Sequence, residues 1–110
     1  MKRLFAILAA TIGFAVIANA DNYVNLSTLT GNKTLVDGDI VSGTLSGNHK
    51  IPIANGATIK LNNVTINGVN NENYNWAGIT CLGDATIFLF GDNTVRGFWE
   101  DYPGIYVPEG

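Results

Sequence analysis

The stretch AGITCLGDATIFLFGDNTVRGF, from Ala77 to Phe98, decides the fold. It holds three short apolar runs separated by two corners. Ile79 and Cys81 alternate around Thr80, Ile87 and Leu89 alternate around Phe88, and Val95 stands between Thr94 and Arg96. Alternation with a period of two is the mark of a strand with one buried face. Gly83-Asp84 and Gly91-Asp92-Asn93 are the corners, because Gly adopts positive φ without a Cβ clash and Asp and Asn tolerate it.

The same pattern extends in both directions. Ile51 and Ile53 match Ile79 and Cys81, Asn55-Gly56 matches Gly83-Asp84, and Ile59 and Leu61 match Ile87 and Leu89, all at an offset of 28. The third strand, near Val95, needs one more residue of shift, so its corner holds an insertion. Downstream, Trp76-Ala77-Gly78-Ile79 matches Tyr102-Pro103-Gly104-Ile105 at an offset of 26, and Cys81 then matches Val107. Upstream, residues 34–45 form an earlier turn-and-strand unit around Asp37-Gly38-Asp39.

A repeat of 26–28 residues built from three short strands and Gly/Asn/Asp corners predicts an all-β parallel β-helix. Its inward columns are Ile51, Ile79 and Ile105; Ile53, Cys81 and Val107; Ile59 and Ile87; Leu61 and Leu89. Phe88 and Phe90 fall on the outward face. The alternative is an antiparallel β-sandwich, which also uses short strands at close spacing. Residues 21–33 read as an N-terminal cap or lead-in, and residues 34–110 as coils. The last coil stops one strand in, so the expectation is a truncated chain with an open edge prone to edge-to-edge self-association.

Residues 1–20 read as a secretory signal peptide. Met1-Lys2-Arg3 is a basic start, Leu4 to Ala18 is almost wholly apolar, and Ala18-Asn19-Ala20 supplies small residues for cleavage. The protein is therefore expected to be secreted or held at the cell surface, with no membrane insertion after processing. Beyond the leader, four bases (Lys33, Lys50, Lys60 and Arg96) face nine acids, a formal charge of −5. Scattered bases on an acidic chain exclude nucleic acid as partner, since phosphate binding needs clustered cations. Cys81 is the single Cys, which rules out an internal disulfide framework and reads as a small buried apolar residue.

Two corners are long and aromatic. Residues 67–76 hold Glu72, Tyr74 and Trp76, and residues 97–102 hold Phe98, Trp99, Glu100, Asp101 and Tyr102. Both end in aromatic–small–Gly–Ile, so they fall at one corner of successive coils, about 4.8 Å apart. Tyr74, Trp76, Trp99 and Tyr102, beside Glu100 and Asp101, are the candidate ligand-binding residues. Their flat faces and polar edges suit a sugar ring. The competing reading has Trp76 and Tyr102 fold back over the end of the core. Asp37, Asp39, Asp84 and Asp92 lie at corners, where Asp serves as a turn former; the alternative reading has their carboxylates supply oxygens to Ca²⁺. No zinc spacing surrounds His49, no nucleophile elbow or phosphate loop occurs, and no pair of acids is set up for glycoside hydrolysis.

The segments IPIANGATIKLNNVTING (51–68), WAGITCLGDATIFLFGDNTVRGF (76–98) and YPGIYVPEG (102–110) resemble the repeats of secreted bacterial β-helix proteins that act as carbohydrate-binding modules, the pectin-binding type included. The resemblance covers roughly residues 34–110. It implies a right-handed parallel β-helix, a plant cell-wall, pectin-like polysaccharide as partner, and Ca²⁺, with no metal ligand carried over onto a residue of this chain. The function expected is thus a secreted, non-catalytic polysaccharide-binding module. The alternatives are a surface adhesin or structural solenoid and, further off, a polysaccharide lyase fragment.

Overall fold

The computed structural model describes residues 22–109. The leader expected at residues 1–20 lies outside the described residues, as does Gly110. The described chain is all-β, with a single 3-10 turn at Leu26–Thr28. Its strands are β1 (Asn22–Asn25), β2 (Asp39–Thr44), β3 (Pro52–Ile53), β4 (Ala57–Asn67), β5 (Ile79–Cys81), β6 (Ala85–Phe90), β7 (Thr94–Arg96) and β8 (Ile105–Tyr106).

They form two sheets. One runs β1-β2-β4-β6, with β7 also pairing with β4, and the other runs β3-β5-β8. Every pairing between these strands is parallel, so the antiparallel sandwich is overturned. The reason lies in the connections. Each strand is followed by a corner that leads to the other sheet or to the next bend, never by a tight hairpin back to its neighbour.

The register follows the repeat. Ala57 pairs with Ala85, Ile59 with Ile87 and Leu61 with Leu89, an offset of 28. Thr65 pairs with Thr94 and Ile66 with Val95, one residue further, so the insertion lies in the Gly91-Asp92-Asn93 corner between β6 and β7. In β4 the corresponding bend at Asn62-Asn63 stays within one continuous strand, with Asn63 at φ 57°. The same bend shifts the register of β2 on β4 between Ser42 and Gly43. In the other sheet Ile53 pairs with Cys81, and Ile79 with Ile105 at an offset of 26.

Side chains that alternate along each strand fill the space between the sheets. Leu35, Val41, Ile51, Ile53, Ile59, Leu61, Val64, Ile66, Ile79 and Cys81 are buried in one cluster, joined by Leu26 from the 3-10 turn. Three members of the expected columns depart from this. Ile105 is 37% exposed, Val107 61% and Leu89 64%. Facing inward is not the same as being covered: these residues stand on the last row, with neighbours stacked on one side only. Phe88 and Phe90, in register with Lys60 and Asn62, are exposed on the outward face as alternation requires.

The corners are held by asparagine side chains that cap the backbone of the adjoining layer. Asn55 Oδ1 accepts from the Asp84 amide at 2.9 Å, and Asn63 Oδ1 accepts from the Asp92 amide at 3.0 Å. Asn93 returns the bond, its Oδ1 accepting from the Val64 amide at 2.7 Å while its Nδ2 donates to the Phe90 carbonyl at 3.1 Å. Corner amides point away from the sheet ladders and need such partners. The Asn content therefore serves bonding between layers as well as the turns themselves. Two triplets of the Asn-x-Ser/Thr form fall within this use, since Asn63 is engaged as described and Asn32 Oδ1 accepts from the Lys50 amide at 2.8 Å.

Covered and uncovered members of one column should differ in energetic weight. Ile59→Ala is expected to destabilise the fold by about 2–5 kcal/mol, whereas Leu89→Ala should change stability by no more than about 0.5 kcal/mol. Urea unfolding followed by circular dichroism measures both. Equal losses at the two positions would show that Leu89 is covered in solution.

Candidate functional site

Sheet β3-β5-β8 has an outward face, and a cavity of about 370 Å³ opens there beside the aromatic corners. It is lined by Asn75, Trp76, Ala77, Thr80, Asp101, Tyr102, Pro103 and Tyr106. These are four pairs at an offset of 26: Asn75 with Asp101, Trp76 with Tyr102, Ala77 with Pro103, and Thr80 with Tyr106. The last pair is in direct strand register across β5 and β8. Two successive passes of the chain thus contribute equivalent positions to one cavity. Its volume falls in the range of roughly 300–1,000 Å³ usual for small-ligand pockets.

Backbone contacts between the corners hold the aromatic residues in place. The Phe98 amide donates to the Trp76 carbonyl at 2.9 Å, and the Asn71 amide donates to the Phe98 carbonyl at 2.8 Å. The Ile79 amide donates to the Gly104 carbonyl at 2.8 Å, and the Tyr102 amide closes a turn onto the Trp99 carbonyl at 2.9 Å. Gly97 permits the close stacking, because a Cβ there would run into the Tyr102 carbonyl. Phe98 is the plug beneath: it is fully buried, and its ring lies 5.7 Å from that of Trp76.

Trp76 is the hinge between core and cavity. It is partly buried against the core cluster and also lines the cavity. Tyr74 meets it edge-on with centroids 5.5 Å apart, and Lys50 Nζ lies 5.1 Å from its centroid. Among the described residues, Trp76 Nε1 is buried with no hydrogen-bond partner, which costs roughly 1–3 kcal/mol where such a donor is left dry.

The six candidate residues separate into two groups. Trp76, Asp101 and Tyr102 come together around the cavity. Tyr74 touches Trp76 but does not line the cavity, and it packs partly into the core. Trp99 and Glu100 lie in the turn before Tyr102 and do not line it either. Tyr102 is 40% exposed, so it does not fold over the core, whereas Trp76 does so in part. Tyr106 and Thr80 join the site without having been singled out. Alternation around Ile105 already placed Tyr106 outward, and the offset of 26 placed it beside Thr80. Those two signals together could have found it.

A second cavity of about 350 Å³ lies at the Asp37–Asp39 corner, with Thr58 and Lys60 in its lining. Both carboxylates are engaged by backbone: Asp37 Oδ1 accepts from the Thr58 amide and Asp39 Oδ2 from the Val36 amide, each at 2.8 Å. Among the described residues, no group of three or more His, Cys, Asp or Glu side chains converges to hold a metal ion. A calcium site needs six to eight oxygens, and Lys60 brings a positive charge to this corner, so these residues do not fit one. No helix among the described residues is long and apolar enough to cross a membrane. Comparison with known protein families, curated proteins and solved structures finds no match to the chain.

Cys81 is buried under sheet β3-β5-β8, and burial pushes its thiol pKa up. The folded state therefore holds the thiol proton more tightly than the unfolded chain does. Stability is unaffected by this group below the ordinary thiol range and falls as pH climbs through that range toward the raised folded value. A disulfide reagent at pH 8 should modify Cys81 about a hundredfold more slowly in the native protein than in denaturing urea. Equal rates would place the thiol at the surface.

Proposed function

We propose that this protein is a secreted, non-catalytic module that binds polysaccharide on a right-handed parallel β-helix. The fold reading is supported by all-parallel pairing at the repeat offsets and by the strands from β2 to β6, which alternate between the two sheets in chain order. The function reading rests on one observation: the cavity where Trp76, Tyr102 and Tyr106 meet Asn75, Thr80 and Asp101. Aromatic faces stack on the C–H face of a pyranose, and the amide, hydroxyl and carboxylate bond its hydroxyl groups. Because equivalent positions come from successive passes, the site runs along the axis of the stack, as a chain-like ligand requires. The pectin-like polymer implied by the resemblance is one member of this ligand class.

Affinity electrophoresis through gels containing soluble pectin, xylan or hydroxyethyl cellulose tests this reading. Retardation by at least one polymer is expected. It should fall about tenfold or more in Tyr102→Ala and Tyr106→Ala, and stay unchanged in Trp99→Ala. Both tyrosines are exposed, so their loss should leave folding intact. No retardation by any of these polymers, and none by a soluble amino-sugar polymer, would remove the carbohydrate reading.

A second reading, a structural solenoid that assembles edge to edge, is favoured by the uncovered last row of Leu89, Ile105 and Val107, with Phe88 and Phe90 exposed on the outward face of β6. Such a row beside unpaired strand edges invites a further strand. Sedimentation should then show concentration-dependent association that Leu89→Lys abolishes. A monomer at all concentrations would end this reading.

A further inference from the structure

Resting on the carbohydrate reading, we propose that the Trp76–Tyr102–Tyr106 cavity selects a saccharide bearing a free ammonium group, an amino-sugar unit, over a uronate. Three aromatic rings line it, and the negative face of each ring attracts a cation. Asp101 is the one charged side chain in the lining, exposed and next to Tyr102 in the chain. A carboxylate beside aromatic faces pairs with an ammonium by a charge-assisted hydrogen bond, while a uronate carboxylate at the same place meets like charge.

The surroundings reinforce the sign. Glu100 precedes Asp101 in the exposed turn, and the chain beyond its leader carries nine acids against four bases. Lys50 is the opposing charge. Its ammonium lies 5.1 Å from the Trp76 ring centroid and outside the cavity lining. It already holds the Trp76 ring, so the faces left to a ligand cation are those of Tyr102 and Tyr106, with Asp101 as the charged group of the lining. Asn75 and Thr80 supply neutral partners for ring hydroxyls and carry no preference of sign.

Calorimetric titration of the full chain at pH 6 with three soluble oligomers of matched length tests the proposal: β-1,4-glucosamine, its N-acetylated counterpart, and oligogalacturonate. The glucosamine oligomer should bind about tenfold tighter than the acetylated one, a difference of about 1.4 kcal/mol, and oligogalacturonate should bind weakest. The gap should close in Asp101→Asn and persist in Asp84→Asn, which changes net charge equally at a distant corner. If acetylated or uronate oligomers bind as tightly as glucosamine, the ammonium preference is overturned and the carbohydrate reading stands. Equal effects of the two Asp variants would overturn it in favour of diffuse charge attraction. Binding of none of the three, together with no retardation by pectin, xylan or hydroxyethyl cellulose, would overturn both readings.

Discussion

Parallel pairing in fixed register is the constraint on which the other features depend. A one-residue slip between β4 and β6 would turn Ile87 and Leu89 outward and bring Phe88 and Phe90 in. The core therefore specifies the register, and the register in turn fixes which corner residues face one another. Where the chain carries an extra residue, at Gly91-Asp92-Asn93, the ladder does not slip. It breaks into β6 and β7, and both segments keep their partners on β4. The asparagines complete the arrangement by binding the amides that such corners would leave unpaired. Backbone satisfaction and side-chain packing thus enforce the same alignment from different sides.

The aromatic site is a product of that alignment. Trp76 and Tyr102 stand far apart in the chain but occupy the same place on consecutive passes, so the strand register of β5 on β8 brings them together. Phe98 fills the space beneath, and Trp76 divides its surface between core and cavity. Rigid support of this kind limits the ordering that a ligand must impose on the protein when it binds.

Much of the pairing was legible from residues alone. The offset of 28 from Ile59 to Ile87, the extra residue before Val95 and the offset of 26 from Ile79 to Ile105 are all register facts in the structure. What periodicity could not tell is coverage. Leu89 and Ile105 alternate as core residues do, but burial depends on what lies beyond them, and that is not a local property of the chain. Asparagine at corners was ambiguous for another reason: turn formation alone accounts for it, and a side chain reaching to the next layer leaves no trace in spacing. Phe98 escaped because it sits in a long corner, outside any alternating run. Half of the candidate site suffered the same difficulty. Trp99 and Glu100 share a corner with Tyr102, and only the turn closed onto the Trp99 carbonyl decides which of them faces the cavity.

The passes are unequal in length, and the inequality is localised. From Asn22 to its partner Asp39 the chain advances 17 residues, from Ile40 to Lys60 it advances 20, and from Ile59 to Ile87 it advances 28. The connection from the larger sheet to the smaller one grows from residues 45–51 to residues 68–78, whereas the strand partners on either side keep their alignment. Length at this corner is therefore a free variable. Away from Trp76 and Phe98, which pack into the core, the chain can gain or lose residues there, so natural variation and deliberate grafting can both reshape the aromatic surface while the ladder beneath it stays as it is.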